Sequence, residues 1–142
     1  MTRREANGAL LSAAASLFAL PLALSAGAAA QTSRHTPVRT LMREPLAPMP
    51  NAEASVIILT LAPSSHGHPH EHTGPVFAYI LKGEIENQVD PGPPITYRAG
   101  DYFYEPPLHV HRMMHNLSTT ETAEVLVFQV GEKGKPFTIP AK

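Results

Sequence analysis

At 142 residues the chain has room for one domain and a leader, and it is too short for a multidomain enzyme. Eleven Lys and Arg against twelve Asp and Glu give a formal charge of -1, which leaves no basic footprint for nucleic acid. The absence of Cys excludes a disulfide scaffold, a thiolate-held zinc or iron–sulfur site, and thiol catalysis. Eight His and fifteen Pro stand out. So many Pro argue against a helical bundle, because each removes a backbone donor and breaks a helix interior.

Residues 1–30 differ in kind from the rest. Arg3 and Arg4 give a positive start, an Ala/Leu-rich apolar run follows from Ala9 to Leu24, and small residues lead through Ala28-Ala29-Ala30 to Gln31. This is the three-part pattern of a secretory signal peptide cleaved after Ala30. A permanent membrane anchor is the competing reading, but the run is short for a span. The mature protein is therefore expected in the periplasm or outside the cell, free of the membrane.

Residues 31–53 read as an extended arm, since Pro37, Pro45, Pro48 and Pro50 cannot share a helix and push their neighbours toward extended backbone. From 54 to 142 the pattern is strand, turn, strand. Val56–Leu61 and Val76–Leu81 are apolar and rich in β-branched or aromatic residues, as buried strands are. Glu84–Val89 stops at Asp90-Pro91-Gly92-Pro93-Pro94, a strong turn signal, and Ile95–Arg98 returns. Tyr102–Glu105, His111–Asn116 and Val125–Val130 complete the set. Several short strands with no helical period predict an all-β sandwich or barrel. Phe77, Tyr79, Tyr102 and Phe103 read as its packing, and Met113 and Met114 as core or cavity wall.

Seven of the eight His lie between positions 66 and 115, four of them in His66-Gly67-His68-Pro69-His70-Glu71-His72. Residues two apart on a strand face the same way with Cα atoms about 6.6 Å apart, so two imidazoles can reach one ion. A third ligand must come from elsewhere, and His111 is available. The competing reading is a solvated His-rich loop.

The order and spacing decide between them. His70-x-His72, Gly83, Gly100-Asp101, Pro106-Pro107 and His111, with Phe77-Ala78-Tyr79-Ile80-Leu81 and Phe103-Tyr104-Glu105 between, resemble the two signature motifs of small single-domain cupins. The resemblance runs from about Val56 to Val130. It implies a double-stranded β-helix, or jelly-roll, barrel with an extended N-terminal arm. It also implies that His70, His72 and His111 meet inside the barrel to hold one divalent transition metal: Fe, Mn, Ni, Zn or Cu. Two departures stand out. The family's usual ligand set adds a Glu, which would fall at Val76, and Leu108 occupies a position where Gly often makes the turn. Without a carboxylate the ion would keep its full +2 charge and act as a stronger Lewis acid. Substitute ligands or supporting partners are His68, His109, His115 and Gln88, with Glu105 a further oxygen donor that reads as a turn residue. His109 and His115 share strand parity with His111, so either could line the cavity. Asn116 reads as a turn residue.

Three function classes follow. One is a mononuclear metal dioxygenase or related oxidoreductase acting on a small molecule. The second is a non-catalytic module binding metal or a small ligand. The third is a metal-free isomerase or epimerase, with a cavity His as general base near its ordinary pKa of about 6.5. Strand edges of an open jelly roll need covering, and exchange of the arm in a homodimer would do so.

Overall fold

The computed structural model describes residues 36–142, so the leader expected at 1–30 lies outside the described residues. Ten strands follow one another: β1 (Val38–Pro45), β2 (Ala52–Leu61), β3 (His70–His72), β4 (Val76–Lys82), β5 (Glu84–Val89), β6 (Ile95–Arg98), β7 (Tyr102–Glu105), β8 (Val110–Asn116), β9 (Ala123–Glu132) and β10 (Thr138–Pro140). They form two five-stranded antiparallel sheets, ordered β1-β2-β9-β4-β7 and β10-β3-β8-β5-β6. Residues 38–45, within the stretch read as an arm, enter the first sheet as its edge strand, and β1 is exposed along its length.

Alternation along the strands builds the core between the sheets. In β4, Val76, Ala78 and Ile80 face inward while Phe77, Tyr79 and Leu81 face out, and in β9 Ala123, Val125, Val127 and Gln129 are the inward set. Ile80, Ile85, Ala123 and Val125 are fully buried. Packing was expected of four aromatic residues, but only Phe103 is in the core, with its ring centroid 4.8 Å from that of Tyr97. Phe77, Tyr79 and Tyr102 point outward by strand parity, and Phe77 rests on Tyr104 and Phe128 on the outer face.

Asn116 does more than close a turn. It is fully buried, and its Nδ2 donates to the carbonyls of Leu61, Ala62 and Glu121 while Oδ1 accepts from the Ser118 amide. It thereby ties the end of β8 to the segments on either side of it. Gly74 permits a close backbone approach, since a Cβ there would lie 1.9 Å from the Val130 carbonyl oxygen. Leu108 carries a positive φ of 60°, the left-handed backbone for which Gly is better suited.

Candidate metal centre

Strand β3 supplies His70 and His72 on one face, and antiparallel pairing sets His111 of β8 directly opposite His70. His70 Nε2 lies 3.1 Å from His72 Nε2 and 3.2 Å from His111 Nδ1. All three donor atoms fall within 4.8 Å of one another.

Each imidazole is held by its other nitrogen. His70 Nδ1–H donates to the His68 carbonyl at 2.7 Å, and His72 Nδ1 is hydrogen-bonded to the Thr138 hydroxyl, which can donate or accept, at 3.3 Å. His111 Nε2–H donates to Asn87 Oδ1 and to the Met113 carbonyl, the latter at 3.0 Å. The carbonyl partners set the tautomers of His70 and His111. Nε2 of His70 and Nδ1 of His111 are left as lone pairs, and they converge with Nε2 of His72. Facing lone pairs repel unless a cation lies between them. Ligands about 2.1 Å from one ion sit about 3.0–3.4 Å from their neighbours in octahedral or tetrahedral geometry. The two short spacings fit that range.

Glu105 closes the group from β7. It is only 2% exposed, with Oε2 3.1 Å from His72 Nε2 and Oε1 3.3 Å from His111 Nδ1. Oε2 has no partner at hydrogen-bond geometry, although His72 Nε2 lies within reach. An orphaned, buried carboxylate oxygen is costly, and a bound cation would satisfy it. The residues therefore fit a divalent ion on both counts, converging lone pairs and an unpartnered anionic oxygen.

Charge states agree. Burial pushes the His111 imidazole down to about 4, against the opposing pull of Glu105. Burial also lowers His70, offset in part by its bond to the His68 carbonyl. For Glu105, burial acts to raise the carboxyl, but a hydrogen bond from His72 and the charge of His111, His72 and His70, present when these rings are protonated, outweigh it and hold it below the ordinary carboxylate range. Two neutral imidazoles and an ionised carboxylate are the forms a metal needs.

The other sequence candidates lie apart from this cluster. His68 is exposed at the cavity and contributes its carbonyl. His109 is exposed and donates from Nδ1 to the Asp90 carbonyl at 3.0 Å. Gln88 donates to the Gly92 carbonyl at 3.2 Å. His115 stacks on exposed His66 with ring centroids 3.7 Å apart. The parity argument for His115 fails because the β5–β8 pairing shifts register between Gln88 and Val89. Such a bulge turns the chain by one residue, so Met114 and Asn116 are buried on β8 after His111 while His115 is only half-buried. Sequence reasoning gave no role to Asn87 or Thr138 and read Glu105 as a turn residue, although inward Ile85 and Phe103, two residues earlier on their strands, signalled Asn87 and Glu105.

Beside the cluster lies a cavity of about 480 Å³. Ile57, Leu59, Leu61, Val76, Ala78, Met114 and Val127 give it an apolar wall, with Gln129 and Thr138 as uncharged polar groups. Its only titratable lining residue outside the four-residue cluster, among the described residues, is His68.

A family model described as a cupin domain matches residues 57–129. No curated protein gives a significant sequence match. Among solved structures, a conserved protein with a double-stranded β-helix domain from Klebsiella pneumoniae is similar at a TM-score of 0.58 and 19% identity, covering 78% of this chain and 89% of its own. A cupin 2 conserved barrel domain protein from Salinispora arenicola is similar at 0.53 and 24% identity, covering 66% and 74%. The DMSP lyase DddQ from Ruegeria pomeroyi is similar at 0.53 and 18% identity, with 61% of this chain matching 42% of the lyase. This chain thus spans less than half of that lyase, and the likeness shows the fold alone.

Proposed function

The chain belongs to the cupin-domain family, and from that premise we propose that it holds one divalent transition metal on His70, His72 and His111 and oxidises a small, largely apolar molecule as a mononuclear dioxygenase-type enzyme. The observation that carries this reading is the convergence of three imidazole nitrogens whose opposite ring nitrogens are all engaged. Nitrogen donors with oxygen beside them suit Fe, Mn, Ni, Zn or Cu. Bound there, such an ion would supply Lewis acidity and, when redox-active, electron transfer.

The chain's own residues do the rest. The apolar wall takes the body of the ligand and keeps water out, which strengthens every charge interaction inside. Gln129 and Thr138 offer the polar contacts that orient it. The titratable lining is almost wholly the cluster itself, which favours metal-centred chemistry over a separate acid–base pair. That the solved neighbours include DMSP lyases favours an enzyme over a store, on fold alone. The leader-like first 30 residues favour action in the periplasm or beyond, and the exposed edge strand β1 favours a homodimer.

Metal content of untagged protein, followed by an oxygen-uptake screen over small apolar substrates, tests the reading. Stoichiometric redox metal with oxygen consumption supports it. Stoichiometric metal without oxygen uptake favours a binding module, and metal-free protein overturns the metal reading and favours the isomerase.

A further inference from the structure

The family's carboxylate, absent at Val76, has a counterpart one strand away. We infer that Glu105 is the anionic fourth ligand of the ion held by His70, His72 and His111, an inference that rests on the metal reading of that cluster. Val76 of β4 and Glu105 of β7 are register partners, both buried and both on the cavity wall. Residues opposite one another in an antiparallel pair project from the same face with Cβ atoms about 4.5–5.5 Å apart. A carboxylate at either position therefore reaches into the same volume.

The four side chains form a closed ring. Its edges run 3.1 Å from His70 to His72, 3.1 Å from His72 to Glu105, 3.3 Å from Glu105 to His111 and 3.2 Å from His111 back to His70. Every edge has the spacing of neighbouring ligands on one ion. Glu105 bridges the two imidazoles that are not joined to each other by a short contact, where the ring would otherwise be open.

A purely structural ion pair between Glu105 and a His is the competing account. It needs a proton on a nitrogen that faces the carboxylate. His111 commits its Nε2–H to Asn87 and Met113, which leaves Nδ1 bare toward Glu105, and His72 Nε2 does not meet Glu105 Oε2 at hydrogen-bond geometry. The His111 nitrogen facing Glu105 is bare and Glu105 Oε2 has no hydrogen-bond partner, so the shared partner of ring and carboxylate is a cation. With Glu105 as ligand the site carries +1 rather than +2. That moderates its Lewis acidity relative to a three-imidazole centre.

Cobalt(II) is the probe, because its visible bands report the number and type of ligands. Three variants, each checked by circular dichroism, are compared with the wild type: E105Q, E105V and the exchange V76E/E105V. E105Q and E105V should weaken cobalt binding roughly 10–100-fold and alter the bands. The exchange should recover most of the affinity and a spectrum close to that of the wild type. E105Q with wild-type affinity and an unchanged spectrum overturns the inference while leaving the three-His reading intact. A wild type that takes up no cobalt removes that reading, and this inference with it. Should E105Q not fold, the exchange variant decides: tight binding supports a carboxylate ligand, and binding no better than E105V overturns it.

Discussion

Asn87 Oδ1 accepts the Nε2–H of His111, and both side chains are buried between the sheets. That bond, with the Met113 carbonyl beside it, commits Nδ1 of His111 to the metal side. Asn87→Ala removes one of the two constraints on ring orientation and tautomer. Metal affinity should fall roughly 10–100-fold. Competition against a chromogenic chelator measures it, and an unchanged affinity would show that Met113 alone is sufficient.

Metal retention should separate the His residues sharply. His111 comes from a different strand than His70 and His72, so His111→Ala should abolish stoichiometric metal after dialysis. His66→Ala and His68→Ala should keep it, since those rings lie outside the cluster. The measurement is metal per chain, with circular dichroism to confirm the fold. Full metal in His111→Ala together with loss in His66→Ala or His68→Ala would place binding in the exposed loop.

Stability of the metal-free protein should depend on pH in a defined direction. The folded state holds the His111 pKa down at about 4, against an ordinary value of 6.5. Below 6.5 the unfolded chain takes up a proton that the folded one refuses, so stability is lost as pH falls from about 6.5 to about 4. Glu105 adds in the same sense: its depressed pKa favours folding above the ordinary carboxylate pKa, and that contribution disappears as pH falls through the folded value. Urea midpoints across this window should drop in the wild type and drop less in His111→Gln. An equal pH dependence in the two would assign the effect to other groups.

Leu108 sits at φ 60° and is 63% exposed. A left-handed residue other than Gly costs about 1–2 kcal/mol, while Gly loses up to about 1 kcal/mol through the extra freedom of the unfolded chain. Leu108→Gly should therefore stabilise the fold by about 0.5–1 kcal/mol, read as a higher urea midpoint. A lower midpoint would mean that the Leu108 side chain contributes packing on the surface.

Export should remove the first 30 residues. Intact mass of the exported protein should match a chain beginning at Gln31. A mass that still includes residues 1–30 would overturn the cleavage site and favour an anchored leader.

The strands that bury a face were legible because alternation carries them: Val76, Ala78 and Ile80 inward, Phe77 and Tyr79 outward. β3 and β10 were not, being three residues each and held in place by neighbours rather than by their own pattern. His70, His72 and His111 were legible from spacing. Asn87 and Thr138 were not, being ordinary polar residues until the register brings them within reach, and Glu105 was named only as a further oxygen donor at a turn. The β5–β8 bulge defeated the parity reading of His115, since a one-residue shift leaves no mark in composition.

The group that orients His70 is the His68 peptide carbonyl, not a side chain. Scanning mutagenesis at position 68 would therefore report a silent residue, although its main chain is part of the metal's support. What tunes that support is the path of the backbone, set by Gly67, whose amide donates to the Met114 carbonyl at 2.8 Å, and by the fixed φ of Pro69. Substitution at those two places could alter the ion's affinity, and hence its identity, with all the ligands kept. Relatives that share the three imidazoles but differ at 67 or 69 need not share a metal.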